Sequence, residues 1–165
     1  MVREMKVSGL SIDPQSKTPI VILKDLQSET ELPIWIGLME ATAIATELEQ
    51  IQFARPMTHD LIKNLMRHLG VKVDRIEVCD LRDNTFYAWI FVTVRGKEIR
   101  VDSRPSDALA IALRMKARIY VHERVIEGAG KVEIAARAEI EEDDAKKWTQ
   151  ILENLSPEDF GKYKI

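Results

Sequence analysis

The chain has a single cysteine, Cys79, among its 165 residues, so no internal disulfide can form. Cys79 lies in an apolar strand pattern, and the plain expectation is a buried, inert thiol in a reducing cytoplasm. No apolar run approaches the ~20 residues a membrane-spanning helix needs, so no membrane association is expected. The first residues alternate polar and apolar, unlike a charged stub before an apolar stretch, so no signal peptide is expected. His-x-His, Cys-x-x-Cys and His-Glu-x-x-His spacings are absent, which argues against a zinc site. A Walker loop, a Gly-x-Ser-x-Gly elbow and a dinucleotide-binding fingerprint are absent as well. An excess of positive charge is also missing. The net charge is −3, and residues 131–165, with six Lys/Arg and nine Asp/Glu, account for all of it. The first 130 residues are therefore neutral, and any polyanion would have to bind through a local, salt-sensitive patch.

What remains is ordinary globular material, 45% apolar and 31% charged, enough for one domain with a core. The chain is organised around residues 98–122. A β-branched run (Ile99, Val101) stops at Asp102, and an Arg-Pro step follows. A helix apolar nearly all round (Ala108 to Leu113) comes next, then a second β run (Ile119, Tyr120, Val121). A helix with no polar face belongs at the centre of a domain. Pro105 suits its first turn, and Ser103, Ser106 and Asp107 are candidate caps for its free N–H groups.

The rest reads as an α+β domain. Residues 2–12, 20–23 and 32–36 form a three-stranded antiparallel meander joined by turns at 13–17 and 27–30. A helix runs from Glu40 to about Gln52. A second, opened by Arg55 to Asp60, buries Leu61, Ile62, Leu65, Met66 and Leu69 and stops at Gly70. Strands at 71–81 and 86–94 follow, and the Arg95-Gly96-Lys97 turn leads back to the central unit. Val125 and Ile126 form a short apolar piece before Gly128-Ala129-Gly130, the expected domain boundary. The resulting fold is a mixed, mainly antiparallel sheet of about seven strands packed with three helices over 1–130. A charged helical appendage fills 131–165, with Trp148, Ile151, Leu152 and Leu155 on one face of a helix from Asp143 to Leu155. A new helix start at Ser156-Pro157-Glu158-Asp159 follows. That stripe would dock on the body or on another subunit, so a homo-oligomer, a dimer first, is expected.

Two stretches echo each other: Arg55-Pro56-Met57-Thr58-His59-Asp60-Leu61 and Arg104-Pro105-Ser106-Asp107-Ala108-Leu109. Shared capping chemistry and duplication explain this equally well. Each stretch puts an arginine just before a helix N-terminus, where free N–H groups and the dipole favour an anion. Arg55, Arg104, Thr58 and Ser106 are therefore candidate phosphate binders. Lys63 and Arg67 extend His59 into a basic stripe along the second helix. The bland alternative is that the hydroxyls and acids cap while each arginine pairs with a carboxylate. His59, beside an acid at a helix start, is the leading general acid or base, with Asp107 and Asp102 completing the catalytic set. Asp102, Asp107, Glu40 and Asp60 are candidate oxygen ligands for a divalent cation such as magnesium or manganese. His68 and His122 are read as structural.

Four motifs carry a family resemblance: Leu-Pro-Ile-Trp-Ile-Gly-x-x-Glu-Ala (32–41), Arg-Pro-x-Thr-His-Asp-Leu (55–61), Asp-Asn-Thr-Phe-Tyr-Ala (83–88) and Val-Asp-Ser-Arg-Pro-Ser-Asp-Ala-Leu-Ala (101–110). In this order they resemble the bifunctional nuclease domain family over roughly residues 1–130, leaving the tail outside. The resemblance implies an α+β fold, a bacterial cytoplasmic protein and DNase and RNase activity of the kind described for plant relatives. On that footing the expected function is hydrolysis of single-stranded or unstructured DNA and RNA without sequence specificity. The rival is a non-catalytic regulatory or scaffold module whose motif charges are structural ion pairs. A small-molecule phosphatase is a third option.

Overall fold

The structure, a computed structural model, describes residues 1–129. The helix expected at 143–155 and the helix start at 156–159 lie outside the described residues. Among the described residues seven strands form one sheet: β1 (Val2–Ile12), β2 (Pro19–Asp25), β3 (Glu31–Trp35), β4 (Lys72–Arg82), β5 (Thr85–Val94), β6 (Lys97–Ser103) and β7 (Arg118–His122). Their spatial order is β3-β2-β1-β7-β4-β5-β6. The molecule is two three-stranded meanders, β1–β3 and β4–β6, joined by β7. Strand β7 runs antiparallel to β1 and parallel to β4, the one parallel pairing among the described strands. No helix among the described residues is long and apolar enough to cross a membrane.

The turns follow from backbone chemistry. Asp83 and Asn84, and then Arg95 and Gly96, take positive φ values, as a two-residue turn between right-twisted strands requires. Among the described residues four helices accompany the sheet: α1 (Leu38–Leu48), α2 (Thr58–His68), α3 (Pro105–Met115) and α4 (Glu123–Ala129). Three of them close alike: after α1, α2 and α3 a residue of positive φ (Gln50, Gly70, Lys116) turns the chain. The next N–H then bonds back into the last turn, Ile51 to Thr46, Val71 to Met66 and Ala117 to Ala112. That closure ends α1 at Leu48, short of the expected Gln52. The Val125–Ile126 piece is helical, as α4, which makes four helices where three were expected. Val125 and Ala129 are its buried residues.

Helix α3 is the crossover between β6 and β7, and it runs back over β4 and β5 to reach the far side of that meander. Sheet below and α1 and α2 beside it leave no side for water, which is why Ala108 to Ala112 are all buried. Leu109 and Ile111 meet Val78, Val121 and Ile76 in the core, and each such side chain contributes about 1.5–3 kcal/mol by leaving water. Helix α2 is the correction. Its apolar stripe was expected to be buried, yet Leu61, Leu65 and Leu69 are 52%, 53% and 73% exposed. It rests on α3 rather than on the sheet, so only Ile62 and Met66 are partly covered.

The opposite sheet face bears no described helix. There β5 displays Tyr87, Trp89 and Phe91 in a row, each under a guanidinium. Arg82 lies 5.0 Å from the Tyr87 ring, Arg100 3.8 Å from Trp89 and Arg75 3.7 Å from Phe91. Cys79 is buried in β4, as its pattern suggested. His68 bonds to the Asn64 carbonyl and His122 to Glu77, so both have structural partners.

Candidate functional site

At one end of the sheet β6 passes into α3 through Ser103 and Arg104. Pro105 starts the helix, with Arg104 extended before it. Asp107, two residues on, does not cap. Its carboxylate turns outward and accepts from Arg104, Nε to Oδ2 at 2.7 Å and Nη2 to Oδ1 at 3.2 Å. His59, in the first turn of α2, brings Nε2 to 2.9 Å from the same Oδ1. Glu40, in the first turn of α1, accepts from Arg104 Nη1 at 2.7 Å. Three helix starts thus meet in one chain of contacts: His59, Asp107, Arg104, Glu40.

A second link lies deeper. Arg114 has a side chain only 2% exposed, yet each donor group finds an acceptor. Nε donates to Asp60 at 2.7 Å, and Nη1 donates to the Ala43 and Ala110 carbonyls at 2.7 and 3.1 Å. Nη2 donates to Thr46 Oγ1 at 3.3 Å. This one side chain pins α1, α2 and α3 together. Asp60 also accepts the Met57 N–H at 3.1 Å, which closes the N-terminus of α2. Arg114 is the residue sequence reasoning missed. Its signal was a lone arginine in a helix otherwise without a polar face, where burial demands a partner.

These contacts frame a cleft of about 530 Å³. Its walls are largely apolar: Met39 from α1, Met57, Ile62 and Met66 around α2, Ile111 from α3, and Ile90 and Val101 from β5 and β6. Thr58, His59, Glu40, Arg104, Asp107 and Arg114 supply the polar groups. Burial alone would raise the Asp107 carboxyl, but the hydrogen bonds from Arg104 and His59 outweigh it and hold it below its ordinary value. At Asp60 burial is likewise opposed and overcome, by Arg114 and the Met57 N–H. Asp107 and then Glu40 push the Arg104 guanidinium further up, so it stays charged.

The other expected site residues fall elsewhere. Asp102 borders the cleft on β6, but it is the register partner of Trp89, whose side chain is on the helix-free face. Arg55 and Lys63 line a separate polar hollow of about 440 Å³ beside Asp60. Arg67 is exposed on the outside of α2, and Ser106 is buried. Thr58 and Ser106 make no capping hydrogen bond at their helix starts. For a divalent cation the geometry does not fit. Asp107 and Glu40 face Arg104, Asp60 faces Arg114, and no group of three such ligands occurs among the described residues.

Residues 21–133 match the family model described as Bifunctional nuclease domain. The chain belongs to the bifunctional nuclease domain family. The four motifs that carry the resemblance include every residue of the His59–Asp107–Arg104–Glu40 chain. An uncharacterized protein of Mycobacterium tuberculosis (strain ATCC 25618 / H37Rv) is 37% identical over 162 residues, covering 95% of this chain and 97% of its own length. Bifunctional nuclease 2 of Oryza sativa subsp. japonica is 30% identical over 118 residues, 69% of this chain and 36% of the rice protein. Bifunctional nuclease 1 of Arabidopsis thaliana is 29% identical over 133 residues, 73% of this chain and 40% of that protein. The matched stretch is thus a minor part of the plant proteins and most of this chain.

Proposed function

We propose that this cleft hydrolyses phosphodiester bonds of single-stranded or unstructured DNA and RNA, without sequence specificity, in the bacterial cytoplasm. The observation that carries the reading is the His59–Asp107 contact of 2.9 Å at the mouth of a water-reachable cleft, with the Arg104 guanidinium on the same carboxylate. With Nε2 committed to Asp107, Nδ1 of His59 is the nitrogen that exchanges a proton with the attacking water or the leaving oxygen. Asp107 fixes the orientation of the ring. Arg104, exposed at the rim, offers its remaining donors to a phosphate oxygen. The names of the rice and Arabidopsis relatives support nuclease chemistry for the domain.

The test is incubation of the purified full chain with single-stranded DNA and with RNA, with and without a chelator, beside His59→Ala and Asp107→Ala. Both variants should lose about 10²–10⁴-fold in rate, the range a positioned acid–base group contributes, while still unfolding cooperatively as folded proteins. Full activity in both variants would refute it. One observation favours a second reading, a non-catalytic regulatory module: Glu40, Arg104, Asp107 and His59 are all mutually paired. That reading predicts a ligand bound in the cleft with no turnover by the wild-type chain.

A further inference from the structure

The two edges of the sheet differ. At one, β3 is five residues long and carries Pro33, which has no N–H to offer a further strand. At the other, β6 runs seven residues from Lys97 to Ser103 with neither proline nor glycine and no register break against β5. Among the described residues its only neighbour in the sheet is β5, and its outer N–H and C=O groups there form an open template. Ile99 and Val101, 47% and 43% exposed, lie on the side that bears the helices. Natural edges are blunted by charged side chains, lysine above all, by proline and by bulges. On β6 the sign alternates: Glu98, Arg100 and Asp102 stand in a row on the helix-free side.

We propose that β6 is a self-association edge, pairing antiparallel with β6 of a second copy of this chain so that the two seven-stranded sheets become one. Charge selects the occupant and the register. A two-fold axis normal to the sheet keeps both sets of helices on one side and pairs residues of like parity. Centred on Arg100, it would set Arg100 against Arg100 and Glu98 against Asp102, which is repulsive. Centred on Ile99, it sets Glu98 against Arg100 twice and Ile99 against Ile99, with Val101 against the Lys97 stem. The shifted register is therefore attractive on both faces. A polyanion or an acidic peptide would gain nothing from a row that carries two acids to one base.

Arg100 makes no ion pair among the described residues. Its guanidinium lies over Trp89, with Glu98, the ion-pair partner of Arg75, as the next residue along the same side. Two of the three side chains in the row are thus held by contacts before a second copy arrives, which lowers the ordering cost of association.

Sedimentation equilibrium of the full chain at tens of micromolar tests the edge, with thermal unfolding of each variant as the folding control. The wild type should have twice the 18.9 kDa chain mass. Arg100→Glu should weaken the dimer about tenfold or more, because Glu98 then faces a second carboxylate across the pair. Adding Glu98→Arg to that variant should restore the dimer by reversing both charges. A monomeric wild type overturns the proposal, and so does a dimer indifferent to Arg100→Glu. Loss in the single variant without recovery in the double also counts against it, since the loss then belongs to the Trp89 stack.

Discussion

Arg114 shows what a single buried cation does in this molecule. Its side chain replaces water by four acceptors drawn from three helices, so truncation strands each of them. Arg114→Ala should cost about 3–5 kcal/mol in chemical denaturation, the range for removing one partner of a buried pair. The two carboxylates of the interface give a pH signature. The Asp60 and Asp107 carboxyls both titrate lower in the folded chain than in the unfolded chain, where the value is about 3.9. Their stabilisation is therefore fully present above pH ~4 and is lost as pH falls through the folded values. Acid titration of stability should be shallower in Asp60→Asn than in the wild type, and an unchanged acid limb would contradict that assignment. His59 and Asp107 were legible in sequence because each sits at an Arg-Pro helix start. The Arg104–Asp107 pair, three residues apart, is the arginine–carboxylate pairing that the sequence left open. The contact of Asp107 with His59 was not legible, because it is made across 48 residues and depends on where α2 lands.

Helix α2 separates what periodicity shows from what it hides. A 3.6-residue stripe identified the helix and its stop at Gly70, yet the pattern does not say how much of the stripe a neighbour covers. Half of it faces the cleft through Ile62 and Met66, and half, through Leu61, Leu65 and Leu69, faces out. Leu65→Gln should therefore change stability by less than about 0.5 kcal/mol. Leu109→Ala, at the fully buried centre of α3, should cost about 2–5 kcal/mol. Comparable denaturation midpoints for the two variants would mean that α2 is packed otherwise. The all-apolar character of α3 did foretell its central place, since that pattern has one comfortable location.

At the scale of the whole chain, both meanders were readable because their strands pair with sequence neighbours through short turns. The sheet order was not, because β7 enters between β1 and β4 only after α3 has crossed β4 and β5. That crossover puts the starts of α1, α2 and α3 at one end and makes the cleft a property of topology. Arg55 and Arg104, alike in sequence, are parted by the same topology into two hollows. On the proposed reading the His59–Asp107 pair serves proton transfer, and Asp107→Asn examines this most directly by keeping the shape of the side chain while removing its charge. Its rate of oligonucleotide cleavage relative to the wild type should fall by about 10²–10⁴-fold in a protein that still unfolds cooperatively. Equal rates for the two proteins would contradict the catalytic account.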